Sequence, residues 1–249
     1  MEPALPTEAA TQPDLPLALL ADTAAAWGLP LTPAQLGQFA TYATELLRWN
    51  SRINLTSITD PEGIVVRHFL DALVCARYVP AVPQRIADVG TGAGVPGIPL
   101  KILWGTPHLT LIESVGKKTA FLAHLVGVLG LADVTILTSR AELPAHDPAH
   151  REQYDLVVAR AVAALPALLE YCLPLARVGG RVLCPKGATI AAEVQSAQAA
   201  LTTLGGTLNL VDPVHLPGIE ARTMIVVDKR ARTPARYPRA VGTPSRHPL

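Results

Sequence analysis

The fold of this chain is decided by the stretch Arg85-Ile86-Ala87-Asp88-Val89-Gly90-Thr91-Gly92-Ala93-Gly94-Val95-Pro96-Gly97-Ile98-Pro99-Leu100. A short apolar run enters a turn with glycine at alternate positions, and a second apolar segment follows. Glycine adopts positive φ without steric cost and lets a ligand lie against the backbone. A strand that ends in such a turn and feeds a helix is typical of the nucleotide-binding corner of a doubly wound α/β sheet.

The glycine turn leaves two kinds of ligand open. Gly92 to Gly97 match the G-x-G-x-x-G fingerprint of dinucleotide sites, which would indicate an NAD-dependent oxidoreductase. Asp88, however, would repel a diphosphate, and Pro96 and Pro99 remove backbone N–H donors that an anion would use. S-adenosylmethionine carries a sulfonium and an ammonium but no phosphate, so a carboxylate beside this turn favours it.

Composition describes an ordinary globular chain of 249 residues, 49% hydrophobic, with a net charge of +1. The longest apolar window, Thr119 to Leu131, is shorter than the roughly 20 residues of a membrane span, so no span is expected. No basic residue precedes Arg48, which argues against a secretory signal. The three cysteines lack C-x-x-C spacing and are expected to be reduced thiols of a cytoplasmic protein. No metal site is expected.

Charge is distributed unevenly along the chain. Six basic residues and no acid lie between Lys229 and the C-terminus. A basic terminal segment favours a polyanionic partner, with a merely solvated tail as the alternative. Residues 230–249 are therefore predicted to form a basic tail.

The rest of the chain divides into three parts. Residues 1–16 are rich in proline and have little to bury, so they are predicted to be disordered. Residues 17–80 carry helical periodicity and are predicted to form a helical module that ends near Pro80 and Pro83. Residues 81–229 are predicted to form the cofactor-binding domain.

Strand and helix patterns alternate in this domain, which predicts an α/β fold with a mostly parallel sheet and helices on both faces. The glycine pair Gly179-Gly180 is expected to close the helix that begins at Leu165. Seven strands are predicted, the last two as an antiparallel pair: Ile86–Val89, Leu109–Glu113, Val134–Thr138, Asp155–Ala159, Arg181–Cys184, Leu208–Val211 and Met224–Val227.

Polar residues cluster at one edge of this predicted sheet. The carboxyl ends of parallel strands meet there, and ligands bind at that edge. Asp88, Glu113, Glu142 and Arg160 each lie where a predicted strand ends. Glu113 comes one βα unit after Asp88, where an acid can accept hydrogen bonds from both ribose hydroxyls of an adenosine. Ala141 is small enough to pack against an adenine.

From about Leu31 to the C-terminus, the chain resembles the bacterial ribosomal RNA small subunit methyltransferase G family, also called glucose-inhibited division protein B. The motifs that carry the resemblance are Trp49-Asn50-x-x-x-Asn54-Leu55-Thr56, His68-Phe69-x-Asp71, Asp88-Val89-Gly90-Thr91-Gly92-Ala93-Gly94-x-Pro96-Gly97-Ile98-Pro99-Leu100, Glu113-Ser114-x-x-Lys117-Lys118-x-x-Phe121-Leu122, Arg140-Ala141-Glu142, Arg160-Ala161-Val162, Lys186-Gly187 and Pro238-Arg239-x-x-Gly242-Thr243-Pro244. Ala72 and Ala240 depart from the family pattern, which more often has serine and a basic residue there.

The resemblance implies a Rossmann-like S-adenosylmethionine-dependent methyltransferase fold with an N-terminal helical extension. It also implies an enzyme that methylates N7 of one guanine in the decoding-site loop of 16S ribosomal RNA. The predicted cofactor-binding set joins the glycine turn to positions carried over from the family: Asp88, Gly90, Gly92, Val95, Glu113, Ala141, Glu142 and Arg160.

Guanine N7 carries an in-plane lone pair, so methyl transfer to it requires no general base, and no catalytic residue is assigned. An arginine held bidentate on O6 and N7 would occupy the nucleophile. Basic side chains are therefore expected to contact phosphate, O6 alone or the cofactor carboxylate. RNA binding is predicted for His68, Lys186 and Arg239.

RNA helices hide the N7 edge in a deep groove, so the target must be a loop or a splayed base. The expected partner is 16S ribosomal RNA or an assembling small subunit. The tail and the helical module are predicted to grip this RNA. Removal of the tail after Lys229 is then expected to weaken RNA binding and leave cofactor affinity nearly unchanged.

The sequence does not fix the oligomeric state, and a monomer is one of the states it allows. Besides the oxidoreductase, two further alternatives stay open: a methyltransferase for another RNA, a protein or a small molecule, and a non-catalytic RNA-binding module.

Overall fold

One seven-stranded sheet organises the computed structural model, which describes residues 14–188 and 190–249. The strand order is β3-β2-β1-β4-β5-β7-β6. The strands are β1 Arg85–Val89, β2 His108–Glu113, β3 Val134–Thr138, β4 Tyr154–Val158, β5 Ala176–Lys186, β6 Gly206–Val214 and β7 Arg222–Lys229. Of the segment predicted to be disordered, residues 1–13 lie outside the described residues.

The pairing of the strands confirms the predicted α/β class. Strands β1 to β5 pair in parallel, whereas β7 runs antiparallel to both β5 and β6. The order reverses between β1 and β4, and the crevice outside the carboxyl ends of such strands is where ligands bind in this class of sheet. Because β7 is antiparallel, its first residue, Arg222, comes to this same edge.

Helices pack on both faces of the sheet. The helices that follow β1 in the chain are α5 Gly97–Trp104, α6 Gly116–Val128, α7 Leu165–Cys172, α8 Ala191–Ser196, α9 Gln198–Leu204 and α10 Thr243–Arg246, with a 3-10 turn at Pro144–His146. None of the helices in the described ranges is long and apolar enough to cross a membrane.

The helical module contains α1 Leu17–Ala26 and α2 Pro33–Asn50. Thr32 and Gln35 form a capping box at the start of α2, which satisfies two backbone donors reciprocally. The helical stretch 61–78 then changes its type of helix along its length. Its parts are α3 Pro61–Gly63, a π-helical segment Ile64–Leu70, α4 Asp71–Leu73 and a 3-10 segment Val74–Tyr78. Single-turn π segments are frequent at functional sites.

The module shares a core with one face of the sheet. The ring centroid of Phe69 lies 4.8 Å from that of Phe39 and 5.2 Å from that of Tyr42, with the rings tilted. These rings belong to the same buried cluster as Ile86 of β1. Ala87 and Val89 point to the opposite cluster, which contains α7, α9 and the tail residue Tyr237. The tail is therefore part of the packed structure on the second face.

The glycine pair Gly179-Gly180 lies inside β5, where the prediction of a helix stop was wrong. The pairing of β4 with β5 shifts register between Tyr154 and Leu156. A Cβ on Gly180 would lie 2.9 Å from the carbonyl oxygens of Tyr154 and Arg177. Gly180 is required by this irregularity in the sheet, since only glycine allows backbones to approach so closely, and Gly179 has φ +85°.

Candidate functional site

The glycine turn after β1 lies against the loop that follows β4. Gly90 has φ +66°, and a Cβ there would lie 2.6 Å from Cγ2 of Val162. The next turn residues are fixed from two sides. The Tyr42 hydroxyl of the helical module donates to the Ala93 carbonyl at 2.6 Å, and the Gly92 amide donates to Glu113 Oε2 at 3.1 Å. The turn is thus fixed by contacts with the helical module, with β2 and with the loop after β4.

Asp88 lies beneath this turn and is fully buried. Its Oδ2 accepts hydrogen bonds from the Thr91 hydroxyl at 2.6 Å and the Gly97 amide at 2.8 Å. Burial raises the pKa of Asp88 to about 6, although these two hydrogen bonds act in the opposite direction. The carboxyl group therefore shapes the turn from below rather than lining a cavity.

A cavity of about 170 Å³ opens at the carboxyl ends of β1 to β4. We call it the rim cavity. Its walls include the predicted cofactor residues Gly90, Glu113, Ala141 and Glu142, together with Arg140. The remaining wall residues come from the strand ends, the loop after β4, α7 and α10: Val89, Ile112, Ser114, Ser139, Val162, Ala163, Tyr171 and Ser245.

The two carboxylates of the rim cavity are held by backbone amides. Glu113 Oε1 accepts from the Val115 amide at 2.9 Å, while its Oε2 accepts from the Gly92 amide. Glu142 Oε1 accepts from the Gly242 amide at 2.9 Å, and the residue is 2% exposed. Both carboxylates are therefore fixed in place before any ligand arrives.

A larger cleft of about 670 Å³ lies next to the rim cavity. We call it the arginine cleft, because Arg67, Arg160 and Arg222 line it. Residues 160–163 separate the two: Arg160 and Ala161 line the cleft, whereas Val162 and Ala163 line the cavity. The remaining cleft residues come from the loops before α3, after β5 and between β6 and β7: Ser57, Ile58, Gly187, Ala188, Gly218, Ile219, Glu220 and Ala221.

The predicted cofactor residues thus divide into groups. Val95 is 4% exposed and packs in the core of the module face. Asp88 and Gly92 support the turn. Arg160 lies in the arginine cleft. Their roles in binding stay predictions, and so do those of the residues on the cavity wall.

Arg160 is held by the helical module. Its Nη1 donates to Asp71 Oδ2 at 2.8 Å and to the Arg67 carbonyl at 2.5 Å. Asp71 is 1% exposed and also accepts from Arg222, at 3.3 Å. One buried carboxylate therefore orders two arginines of the cleft: Arg160, which follows β4, and Arg222, the first residue of β7.

His68 completes this network as a neutral group. Burial, followed by the charge of Arg160, lowers its pKa to about 3. Arg160 Nη2 lies 3.0 Å from Nδ1, and Nε2 lies 2.8 Å from the Thr56 hydroxyl. Since a guanidinium can only donate, Nδ1 accepts and Nε2 carries the proton. His68 thus brings no positive charge to the cleft.

The two other predicted RNA contacts are engaged in ion pairs. Lys186 Nζ donates to Glu193 Oε2 at 2.8 Å and to the Ala163 carbonyl at 2.7 Å, which fixes the segment between cavity and cleft. Arg239 pairs bidentately with Glu170, with Nη2 2.6 Å from Oε2 and Nε 2.9 Å from Oε1. These hydrogen bonds raise the pKa of Arg239.

Sequence reasoning missed several side chains of the site. Arg222 opens β7, and only the antiparallel direction of that strand brings it to the ligand-binding edge. Tyr171 and Ser245 reach the rim cavity from α7 and α10. The family motif that contains Gly242 marked this part of the tail, but its position in the fold could not be derived from spacing.

Comparison with known sequences identifies the family of the chain's relatives. The family profile GidB, described as rRNA small subunit methyltransferase G, matches residues 35–221. A "Ribosomal RNA small subunit methyltransferase G" of Roseiflexus sp. is 58% identical over 93% of this chain and 99% of its own length. The protein of the same name from Roseiflexus castenholzii is 57% identical over 91% of this chain and 97% of its own length. These matches favour a methyltransferase over the oxidoreductase alternative.

Solved structures support the fold at low sequence identity. A ribosomal protein L11 methylase from Lactobacillus delbrueckii subsp. bulgaricus superposes with a TM-score of 0.52 at 16% identity, covering 71% of this chain and 90% of that chain. A SAM-dependent methyltransferase from Aquifex aeolicus gives a TM-score of 0.50 at 18% identity, over 68% and 93%. The Rossmann-like fold of S-adenosylmethionine-dependent methyltransferases is thereby confirmed.

Proposed function

Because the chain belongs to the rRNA small subunit methyltransferase G family, we propose that it methylates N7 of one guanine in the decoding-site loop of 16S ribosomal RNA. The methyl donor is S-adenosylmethionine. The observation that carries the proposal is the contact between the rim cavity and the arginine cleft across residues 160–163. A base held in the cleft lies next to a donor held in the cavity.

The rim cavity fits a cationic adenosine derivative. Gly90 and Val162 both line the cavity, and the missing Cβ of Gly90 lets the Val162 side chain lie against the turn. Glu113 and Glu142 supply two fixed carboxylates against one guanidinium, that of Arg140. Glu113 would hold the ribose, and Ala141 with Glu142 the adenine. S-adenosylmethionine, when bound, supplies a methyl group on a positively charged sulfonium sulfur. The carboxylates of the cavity favour such a cation over a phosphate-bearing ligand.

The arginine cleft fits an RNA loop. Arg67, Arg160 and Arg222 present guanidinium groups at one opening, where they can contact phosphates or O6 of a guanine. None is placed here on N7 itself, because that atom is the nucleophile. The partner is 16S ribosomal RNA or an assembling small subunit, and we place the reaction in the cytoplasm.

Alignment of the two ligands is the contribution expected from the protein. Lys186 fixes the Ala163 carbonyl and Asp71 fixes Arg160, so the partition between cavity and cleft is held from both sides. Orientation of this kind contributes up to roughly 7–11 kcal/mol to a barrier in well-oriented systems. No base is needed, since N7 already carries a lone pair, and both nitrogens of His68 are engaged.

Mapping of N7-methylguanine in small-subunit RNA tests this proposal. The modification is expected at one guanine of the decoding loop in cells that carry the gene and is expected to be missing when the gene is deleted. Identical maps from both cells would overturn the proposed target.

Transfer of tritium from labelled S-adenosylmethionine separates the target from the alternatives. Label in 16S RNA supports the proposal. Label in protein, in metabolites or in a different RNA would show a methyltransferase that acts on another substrate. RNA binding without methyl transfer would indicate a non-catalytic module.

A further inference from the structure

The tail after β7 is docked on the body of the protein over much of its length. Arg151 donates to the Tyr237 carbonyl at 2.8 Å from Nη1 and to the Thr233 carbonyl at 2.8 Å from Nη2. His146 Nε2 lies 2.7 Å from the Pro238 carbonyl, to which it donates. Tyr237 is 8% exposed and belongs to the second core cluster. Side chains of the domain thus hold the backbone of the tail.

Several of the six basic residues from Lys229 to the C-terminus make contacts within the protein. Lys229 is fully buried and donates to the carbonyls of Leu173 and Leu204. Arg230 pairs with Asp228 at 2.8 Å, and Arg239 pairs with the fully buried Glu170. The excess of basic residues that predicted an RNA-binding tail is therefore explained in part by contacts within the protein.

The end of the tail reaches the rim cavity. The Gly242 amide donates to Glu142 Oε1 at 2.9 Å, at a residue with φ +79° that directly precedes α10. Ser245, on α10, lines the cavity beside Tyr171 of α7. The Arg239 guanidinium, which grips Glu170 of α7, also donates to the His247 carbonyl at 2.7 Å. One arginine therefore ties α10 to α7 at the wall of the cavity.

We propose that the tail is a wall of the cofactor site, with Ser245 in contact with the cofactor and with Arg239 and Gly242 as positioning residues. This inference rests on the proposed function, which places S-adenosylmethionine in the rim cavity. It replaces the expectation that the tail serves RNA alone. Loss of the tail contacts therefore weakens cofactor binding. RNA binding depends on the arginine cleft and not directly on the tail.

A bulky side chain at Ser245 tests the contact with a matched control. Ser245→Phe fills part of the cavity, whereas His247→Phe places the same phenyl ring just after α10, at a residue outside the cavity wall. Calorimetry is expected to give a Kd for S-adenosylmethionine about tenfold or more higher in Ser245→Phe and unchanged in His247→Phe. Cofactor-free RNA affinity is expected to stay the same in both.

Three outcomes would overturn different statements. Cofactor binding by Ser245→Phe equal to that of the wild type would refute the wall and leave the proposed function intact. No binding of S-adenosylmethionine by the wild-type chain would refute the proposed function and this inference together. If Ser245→Phe loses RNA affinity but keeps cofactor affinity, the tail binds RNA and does not form a wall of the cofactor site.

Arg239 is tested through a readout that a merely structural residue does not change. Arg239→Ala is expected to raise the KM for S-adenosylmethionine with kcat preserved at saturation, and Arg239→Lys to recover part of the loss. Arg232→Ala removes the same charge from a side chain that is 88% exposed and is expected to change neither parameter.

The salt dependence of RNA binding distinguishes the two roles of Arg239. If Arg239 contacts a phosphate, its replacement by alanine would reduce the magnitude of the slope of log K against log salt by about 0.7–0.9. The inference predicts an unchanged slope. A slope of smaller magnitude with an unchanged KM for the cofactor would overturn it.

Discussion

The rim cavity and the arginine cleft lie on either side of residues 160–163, yet they are built in different ways. The cavity takes its walls largely from residues that follow strands, and backbone amides hold its carboxylates, as Gly92 and Val115 hold Glu113. The cleft takes its charges from separate segments, and one buried side chain, Asp71, orders two of them. The difference indicates that cofactor binding and RNA binding depend on separable sets of contacts.

Removal of the buried ion pair of the cleft is expected to have the largest effect. Arg160→Ala leaves Asp71 without its closest cation, and the free energy of unfolding is expected to fall by about 3 kcal/mol. Arg177→Ala breaks an Arg–Asp pair whose arginine is 49% exposed, and a change of about 0–1 kcal/mol is expected. Urea denaturation measures both.

The same variant separates cleft from cavity. Arg160 was predicted to bind the cofactor, but it lines the cleft and not the rim cavity. Arg160→Ala is therefore expected to lose RNA methylation while the folded protein still binds S-adenosylmethionine as the wild type does. Parallel loss of cofactor affinity in folded protein would show that the two sites are one.

The neutral His68 predicts a pH dependence of stability. Its folded pKa of about 3 lies below the unfolded value of 6.5. Between these values the unfolded chain binds more protons, so stability falls as pH decreases below 6.5, by up to about 1.4 kcal/mol per unit. His68→Gln removes this titration. Below pH 6.5 the wild type should therefore lose stability more steeply than the variant in chemical denaturation. Equal slopes would show that the imidazole is not held neutral by the network.

Gly90 tests the close approach at the cavity. Gly90→Ala places a Cβ 2.6 Å from Val162, and the Kd for S-adenosylmethionine is expected to rise about tenfold to a hundredfold. Gly105→Ala is the control, because φ is +69° there and +66° at Gly90, but nothing lies within 4 Å of the added Cβ. Equal effects of the two substitutions on the Kd would mean that backbone strain alone matters.

Glu113→Gln is expected to have the smallest effect. It keeps an oxygen acceptor for one of the two amides while removing the charge beside the cavity. A rise of about tenfold in the Kd for S-adenosylmethionine is expected by calorimetry, equivalent to about 1.4 kcal/mol. RNA affinity without cofactor should stay constant. An unchanged cofactor Kd would remove Glu113 from the binding set.

Much of the fold followed from local pattern. The seven strands, the antiparallel last pair and the glycine turn were predicted because alternating apolar runs and positive-φ glycines leave clear traces in a sequence. The placement of Glu113 and Glu142 at one edge followed from parallel topology. Gly179-Gly180 misled, because the same pair of residues serves a helix end and a strand irregularity equally well.

What could not be predicted depends on contacts between distant segments. The pairing of Asp71 with Arg160 and Arg222 joins the module to β4 and β7, and no local pattern encodes it. The basic composition of the tail suggested RNA, whereas the partner of Arg239 is Glu170, a residue inside an apolar helix. A charge count does not reveal which charges are already paired.

A crystal structure of the protein with S-adenosylmethionine and a guanine-containing oligonucleotide tests the division between rim cavity and arginine cleft most directly. The prediction is adenosine beside Glu113 and Glu142 in the rim cavity, a guanine in the arginine cleft, and the methyl group facing it across residues 160–163. Cofactor bound in the arginine cleft, or a guanine approaching from any other side, would contradict the division of the site described here.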